Sequence, residues 1–426
     1  MAVSHAASNL CKYVQHGGID FVSSLINKDG ADVNAKDLAG NAPIHHAVMQ
    51  GMVSMVKLLL DNHADINITN IIGMSAIMIA VDYGHDEIVK VLCAKKARLD
   101  NQHYDIGDSI IHRASWNGHC AIVKILLEEG LNPRIKWDAL DSLHAASHEG
   151  WPDVVEFLLE SKAVAVNSQS DTLLTSLHIA SIRGHLDVAK VLIKFGASIE
   201  AYDNDRNTAL HHAIMHGHPD VVKFLLESGA NANTPNRFLD TMIHSSVLLR
   251  DSSVLDLLCK HGVDIETRGE MTHETPLIFA AKLGNEVALL YLIQKNANVN
   301  AQDANGNTAL HYSIAFQNPW SVKALLESSA SIYLQNSHKH SALFNLRAAV
   351  MGYSKEVPWV GLTPKMNERS SISDTVILME NFHAKCILAF AMGLHERLGL
   401  GTAVSSLDTE IVKLATSYLC TKDEDE

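Results

Sequence analysis

The chain has 426 residues, 47 % of them hydrophobic and 19 % charged, enough for two or three ordinary domains or one long repeat array. That balance excludes wholesale disorder, and a formal net charge of −14 excludes a nucleic-acid backbone as the main partner, since such surfaces need an excess of Lys and Arg. Six cysteines (Cys11, Cys93, Cys120, Cys259, Cys386 and Cys420) form no CxxC pair and fit reduced thiols better than a disulfide or zinc framework. The opening MAVSHAASNLCKYVQ has neither the cationic flank nor the apolar run of a secretion signal. The apolar run 386–394 is about half the length that spans a bilayer. The expected protein is cytoplasmic, without membrane insertion.

In chain order, residues 1–37 read as a degenerate opening unit, and from residue 38 a period sets in. His45, His112, His144, His178, His211, His244 and His311 recur with Met78 and Ile278 in the two remaining slots, at spacings of 32 to 34 residues. The same devices return in each copy. Thr208, Thr275 and Thr308 supply N-cap oxygens, and Pro43 and Pro276 suit a first helical turn. Small residues such as Ala47, Ala146 and Ala213 let neighbouring helices approach. Glycines at 51, 84, 118, 150, 184, 217 and 284 end the first helix. A second apolar-periodic helix follows, as in Val221, Val222, Phe224, Leu225 and Leu226, and a short hairpin leads onward. One such unit has too little core to fold alone and must bury its faces on neighbours.

The run Gly306-Asn307-Thr308-Ala309-Leu310-His311, with its downstream A…G-H…V-V-K-x-L-L-x-x-G-A-x-x-N companions, resembles the ankyrin repeat. The resemblance covers nine units over 38–336, with Cys11 in the histidine slot of the degenerate capping unit 1–37 and Phe344 in that of a further unit begun at 337–352. It implies an all-α ankyrin-repeat solenoid of helix-turn-helix units joined by β-hairpin loops, with a helical C-terminal cap. It also implies a non-catalytic, monomeric scaffold or adaptor that binds protein partners along a concave groove. The resemblance gives the seven recurring histidines a structural role, tying adjacent units through hydrogen bonds. Met78 and Ile278 agree with that role, because a required base or ligand would not yield to an apolar side chain. Doublets such as His211-His212 point different ways on a helix and cannot jointly bind a metal. No phosphate loop, H-E-x-x-H or G-x-S-x-G occurs, so no catalytic residue, cofactor or metal site is expected.

Specificity then falls to positions the copies do not share. At the ends of the first helices these are Met49, Tyr83, Trp116, Asn117, His148, Glu149, Arg183, Met215, His216 and Phe316. At the hairpin tips they are Tyr104, Trp137, Tyr202, Phe238 and Met271, beside Ile71 and Ile72. Large apolar residues rimmed by charge are what a protein-binding groove requires. The competing reading packs some of them between helices, Ile182, Leu248 and Leu249 above all. The unit at 237–268 lacks the closing glycine, with Arg250 in that slot, which fits a bend or ordinary drift.

Beyond residue 353 the period is lost. Residues 353–374 read as an irregular connection, and 375–399 as an amphipathic helix carrying Ile377, Leu378, Phe382, Cys386, Phe390, Leu394 and Leu398. A second helix spans 405–420 before the acidic KDEDE. Capping the array is the expected role of this 353–426 extension. A sharper reading is that Leu407-Asp408-Thr409-Glu410-Ile411 looks like the opening helix of an F-box. That implies ubiquitin-ligase components as partners of 405–426, in a eukaryotic adaptor or in a microbial effector secreted into host cytosol. The usual proline is missing, with Asp408 in its place.

Overall fold

A computed structural model describes residues 10–16, 18–99, 109–136, 140–236, 241–270, 272–316 and 318–345. The expected helices at 375–399 and 405–420 lie outside them, as do Tyr104, Trp137, Phe238 and Met271. The contacts sort the chain into two compact units, residues 1–232 and 233–426.

Repeated helix pairs build each unit. In the first, the inner helices are Pro43–Met49, Ala76–Asp82, Ile110–Trp116, Ser142–Glu149, Ser176–Arg183 and Ala209–Met215. Their outer partners are Val53–Asp61, Asp86–Ala94, Cys120–Glu128, Pro152–Glu160, Leu186–Lys194 and Pro219–Glu227, preceded by Ile19–Asp29. The second unit pairs Met242–Val247 with Ser253–Lys260, Pro276–Leu283 with Glu286–Gln294, and Ala309–Ala315 with Pro319–Glu327. The fold is all-helical: the hairpins carry only isolated bridges, such as Gln169 to Thr175 and Gln335 to Ser341, and no strand is formed among the described residues.

Helices of this length are not stable in isolation, so packing holds them. Inner helices are buried almost throughout; in Ala209–Met215 only the final methionine is exposed. Outer helices bury one stripe. Val221, Val222, Leu225 and Leu226 are inside while Asp220 and Lys223 face water, and each buried side chain contributes roughly 1.5–3 kcal/mol. Inner helices pack on inner helices of the next copy, as Ile110–Trp116 does on Ser142–Glu149.

Two polar stitches tie successive copies. In the first, the backbone N–H of Thr208 donates to His211 Nδ1 at 3.1 Å, and Thr308 does the same to His311 at 3.1 Å. An acceptor at Nδ1 leaves the proton on Nε2, aimed at the following hairpin. His45 Nε2 reaches Ile68 O at 3.0 Å, His178 reaches Ala201 O at 3.0 Å and Asn207 O at 3.2 Å, and His244 reaches Glu274 O at 3.0 Å. His144 and His311 reach Leu174 O and His340 O, both at 3.2 Å. His112 and His211 occupy the same buried position. Cys11 makes the thiol version of this bond, with Sγ 3.5 Å from both Ala35 O and Asn41 O. Met78 and Ile278 fill the slot as buried apolar side chains. The second residue of a doublet turns back to an aspartate nine residues upstream: His46 donates to Asp37 and His212 to Asp203, both at 2.8 Å, and Tyr312 donates to Asp303 at 2.6 Å.

The second stitch closes the inner-helix C-terminus. Gly150 and Gly184 sit at φ 82° and 76°, in the left-handed region. An added Cβ would meet the ring of the next copy, His185 Nδ1 at 2.6 Å and His218 Nδ1 at 2.5 Å. Those rings donate Nε2–H to the carbonyls the helix end leaves unpaired, His185 to His148 O at 3.0 Å and His218 to Ile182 O at 2.9 Å. Trp151 donates its indole N–H to Trp116 O at 2.9 Å, and Asn285 donates to Val247 O at 2.7 Å and Leu249 O at 2.6 Å. The last pair explains the irregular copy. Without a glycine its inner helix stops at Val247, and Leu248, expected in the competing reading to pack between helices, is 59 % exposed.

Burial moves the first-stitch rings. Loss of water pushes His45, His112 and His178 down from 6.5 to about 4, and His311 downward too, although the carbonyl bonds of His45, His178 and His311 resist it. A folded pKa below the unfolded one leaves stability intact above pH 6.5 and removes it as pH falls from 6.5 toward 4, because only the unfolded chain takes up protons in that window. Each of the three rings should then cost about 2 kcal/mol by pH 5. His178→Met, which copies the Met78 slot, should lower stability at pH 7 yet shrink the loss between pH 7 and pH 5 by that amount, read by urea unfolding at the two pH values. Gly150→Ala should cost ~1–2 kcal/mol from the left-handed backbone alone, and more from displacing the ring. His185→Ala added to it should recover only the second part, seen as coupling in a double-mutant cycle of urea midpoints.

Candidate protein-binding surface

The second stitch places a side chain at each inner-helix end in register with the next, because a fixed glycine turn follows each end. In the first unit the ends therefore line up as Tyr83, Trp116 with Asn117, His148 with Glu149, Arg183, and Met215 with His216, on helices that pack successively on one another. Met49 stands at the same place one copy earlier and is half-buried.

Local chemistry fixes the centre of this row. The Trp116 indole stacks on the His148 ring, with centroids 4.7 Å apart and planes inclined by 26°. His148 Nδ1 bonds Glu149 at 2.6 Å, so the imidazole is held between an aromatic face and a carboxylate. One copy before, the Arg113 guanidinium makes a two-pronged pair with the Asp82 carboxylate, its Nη2 arm at 2.7 Å. The ion pair joins two helices below Tyr83 and consumes both charges.

The flanks are open. Tyr83 is 58 % exposed and Met215 39 %, and Arg183 is exposed with no ion pair among the described residues. His216 is exposed and its Nδ1 donates back to His212 O at 2.9 Å. Tyr202, on a hairpin, carries the Arg206 guanidinium 5.8 Å from its ring centroid. Trp116, Asn117, His148 and Glu149 are half-buried, as is Phe316 in the second unit. The structure thus brings Trp116, His148 and Glu149 into contact and places Tyr83, Asn117, Arg183, Met215 and His216 at the ends of successive inner helices; Met49 stands one copy earlier, Tyr202 lies on a hairpin, and Phe316 belongs to the other unit.

Two tryptophans were missed by reasoning from helix ends. Trp151 sits in the linker slot usually held by histidine, and its ring lies over Gly118, 2.5 Å from where a Cβ would stand. The signal was its place directly after Gly150, where His85, His119, His185 and His218 follow their glycines. Trp320 projects from an outer helix and is 68 % exposed. Leu38, Ile71 and Ile72 form exposed aliphatic tips, Leu38 and Ile71 on adjoining loops linked by the Ile71 N–H to Ala39 O bond.

Among the described residues no group of three His, Cys, Asp or Glu could hold a metal ion. Cys11 and Cys93 are free, and burial pushes both thiols up to about 11, away from the thiolate a nucleophile needs. No helix among the described residues is long and apolar enough to cross a membrane.

The family model described as ankyrin repeats (3 copies) matches residues 6–70, 45–137, 143–236 and 241–336. The probable E3 ubiquitin-protein ligase XBOS32 of Oryza sativa subsp. japonica is 32 % identical over 172 residues, covering 39 % of this chain and 34 % of that protein. Human transient receptor potential cation channel subfamily A member 1 is 27 % identical over 194 residues, 43 % of this chain and 17 % of the channel. The chain thus spans about a third of these proteins or less. A solved ankyrin repeat domain, that of Bcl-3, is 29 % identical with a TM-score of 0.46, covering 49 % of this chain and 94 % of that one.

Proposed function

The chain belongs to the ankyrin-repeat family, a family of protein-interaction modules, and on that footing we propose that it is a non-catalytic adaptor gripping a partner protein along the inner-helix ends of its first unit. One observation carries the reading: the Trp116–His148 stack sits among the inner-helix ends that carry Tyr83, Arg183 and Met215, large side chains left substantially in water. Aromatic and arginine side chains around a rigid centre are what concentrates binding energy at interfaces. The stack holds His148 and Trp116 in place before a partner arrives, so less rotamer freedom is lost on binding. A segment with apolar side chains for Tyr83 and Met215 and a carboxylate for Arg183 fits the row.

A second reading draws on the ligase names among the relatives and on Leu407-Asp408-Thr409-Glu410-Ile411: the 405–426 segment would recruit ubiquitin-ligase components. Its residues lie outside the described part of the chain.

Tyr83→Ala with Met215→Ala should weaken capture of the partner about tenfold or more, while the thermal midpoint moves by about 2 °C or less because both positions face water. Partners retained at wild-type level by this double variant would refute the assignment of the surface. Deleting 405–426 should abolish co-purification of the ligase linker protein and spare the partner held by the row; a linker protein that never co-purifies with the full chain ends the second reading.

A further inference from the structure

The outer helices repeat a surface rule that two of them break. Among the nine helix pairs, the position of Lys57 is charged in every other copy: Lys57, Lys90, Lys124, Glu156, Lys190, Lys223, Asp256 (in the same repeat register, although fourth in its shorter helix) and Lys323. In Glu286–Gln294 it is Leu290, 46 % exposed. The position three residues earlier is polar or small elsewhere, from Ser54 and Glu87 to Asp220 and Ser253, but here it is Val287, 46 % exposed, and in the neighbouring outer helix it is Trp320, 68 % exposed. Between these two helices lies a groove of about 140 Å³, walled by Leu290, Trp320 and the stem of Lys323, with Glu286 and Glu327 at its rim. A large indole left in water beside two aliphatic side chains, on the face the other copies keep charged, is a surface built to be covered.

The sequence supplies a cover. The stretch 375–398 spaces Phe382, Cys386, Phe390 and Leu394 along one stripe of a helix and needs an apolar surface to lie on. Lys385 borders that stripe and suits the acidic rim. Residues 346–374, which separate it from the last described residue, can extend on the order of 100 Å, so the groove is within reach. Tethering makes the encounter intramolecular, at an effective concentration a separate partner rarely matches.

We propose that residues 375–398 of the same chain dock as an amphipathic helix on the Leu290–Trp320 groove of the second unit. The full chain tests this in two ways. Leu290→Lys with Trp320→Asp restores the residue types other copies carry there, and it should speed amide hydrogen exchange across 375–398 at least tenfold while leaving 176–194 unchanged. Equal exchange in the two proteins overturns the proposal. So does a wild-type dimer in sedimentation that the double variant splits, which would hand the groove to a second copy. Independently of that variant, Leu290→Cys should form an intrachain disulfide with Cys386 under diamide, seen by mass spectrometry of peptides. An interchain link only, or none, counts against docking in cis.

Discussion

One hydrogen bond organises this molecule: the Nε2–H of a buried imidazole reaching the backbone carbonyl of the next hairpin. It works because the N-cap residue's own N–H occupies Nδ1 and so settles which nitrogen carries the proton, as in His45, His178 and His311. The bond closes a gap of 23 to 30 residues in sequence, less than one repeat period. Each link is local, so the array grows by adding copies and no copy needs a distant partner. Cys11 supplies a different donor at that point in space, and the copies with Met78 and Ile278 hold it by apolar packing alone.

The second stitch decides where function can lie. A helix end whose carbonyl is filled by His185, His218 or Trp151 is rigid and fixed relative to the next end. The side chains at that helix end are then presented at set positions that do not depend on their own packing. Hence Tyr83, Arg183 and Met215 are free to differ between copies, whereas Gly150 and His185 are not. Where the stitch is improvised, as Asn285 does at Val247 and Leu249, the helix is shorter and Leu248 spills into water.

Much of this was legible in the sequence because the period is strict. Helix ends could be read from Gly51 or Gly184, and inner-helix starts from Thr208 or Thr275, since each residue type answers a backbone demand that recurs in every copy. What could not be read is pairing that depends on distance in space. Nothing in the string says that Trp116 stacks on His148, or that Arg113 reaches back to Asp82, since both contacts cross from one copy to another through side chains with several rotamers. The meaning of Trp151 was hidden for a related reason. An indole and an imidazole look unlike as letters, yet each offers a planar ring for the glycine and one N–H for the carbonyl.

A repeat also makes departures measurable, because every copy is a control for the others. The exposed position of Lys57 and its equivalents lies outside the core, where a charge can pair along its own helix, as Lys90 does with Glu87 and Lys190 with Asp187, and charge there keeps the array soluble. Leu290 at 46 % exposure and Trp320 at 68 % leave apolar surface in water that the fold does not use. The same logic separates the two surfaces of the protein. On the inner ends, variation is the normal state and large side chains are permitted anywhere. On the outer faces uniformity is the normal state, so three adjoining apolar residues in two consecutive copies are the stronger anomaly, although the inner row carries the larger assembly of aromatic and charged groups.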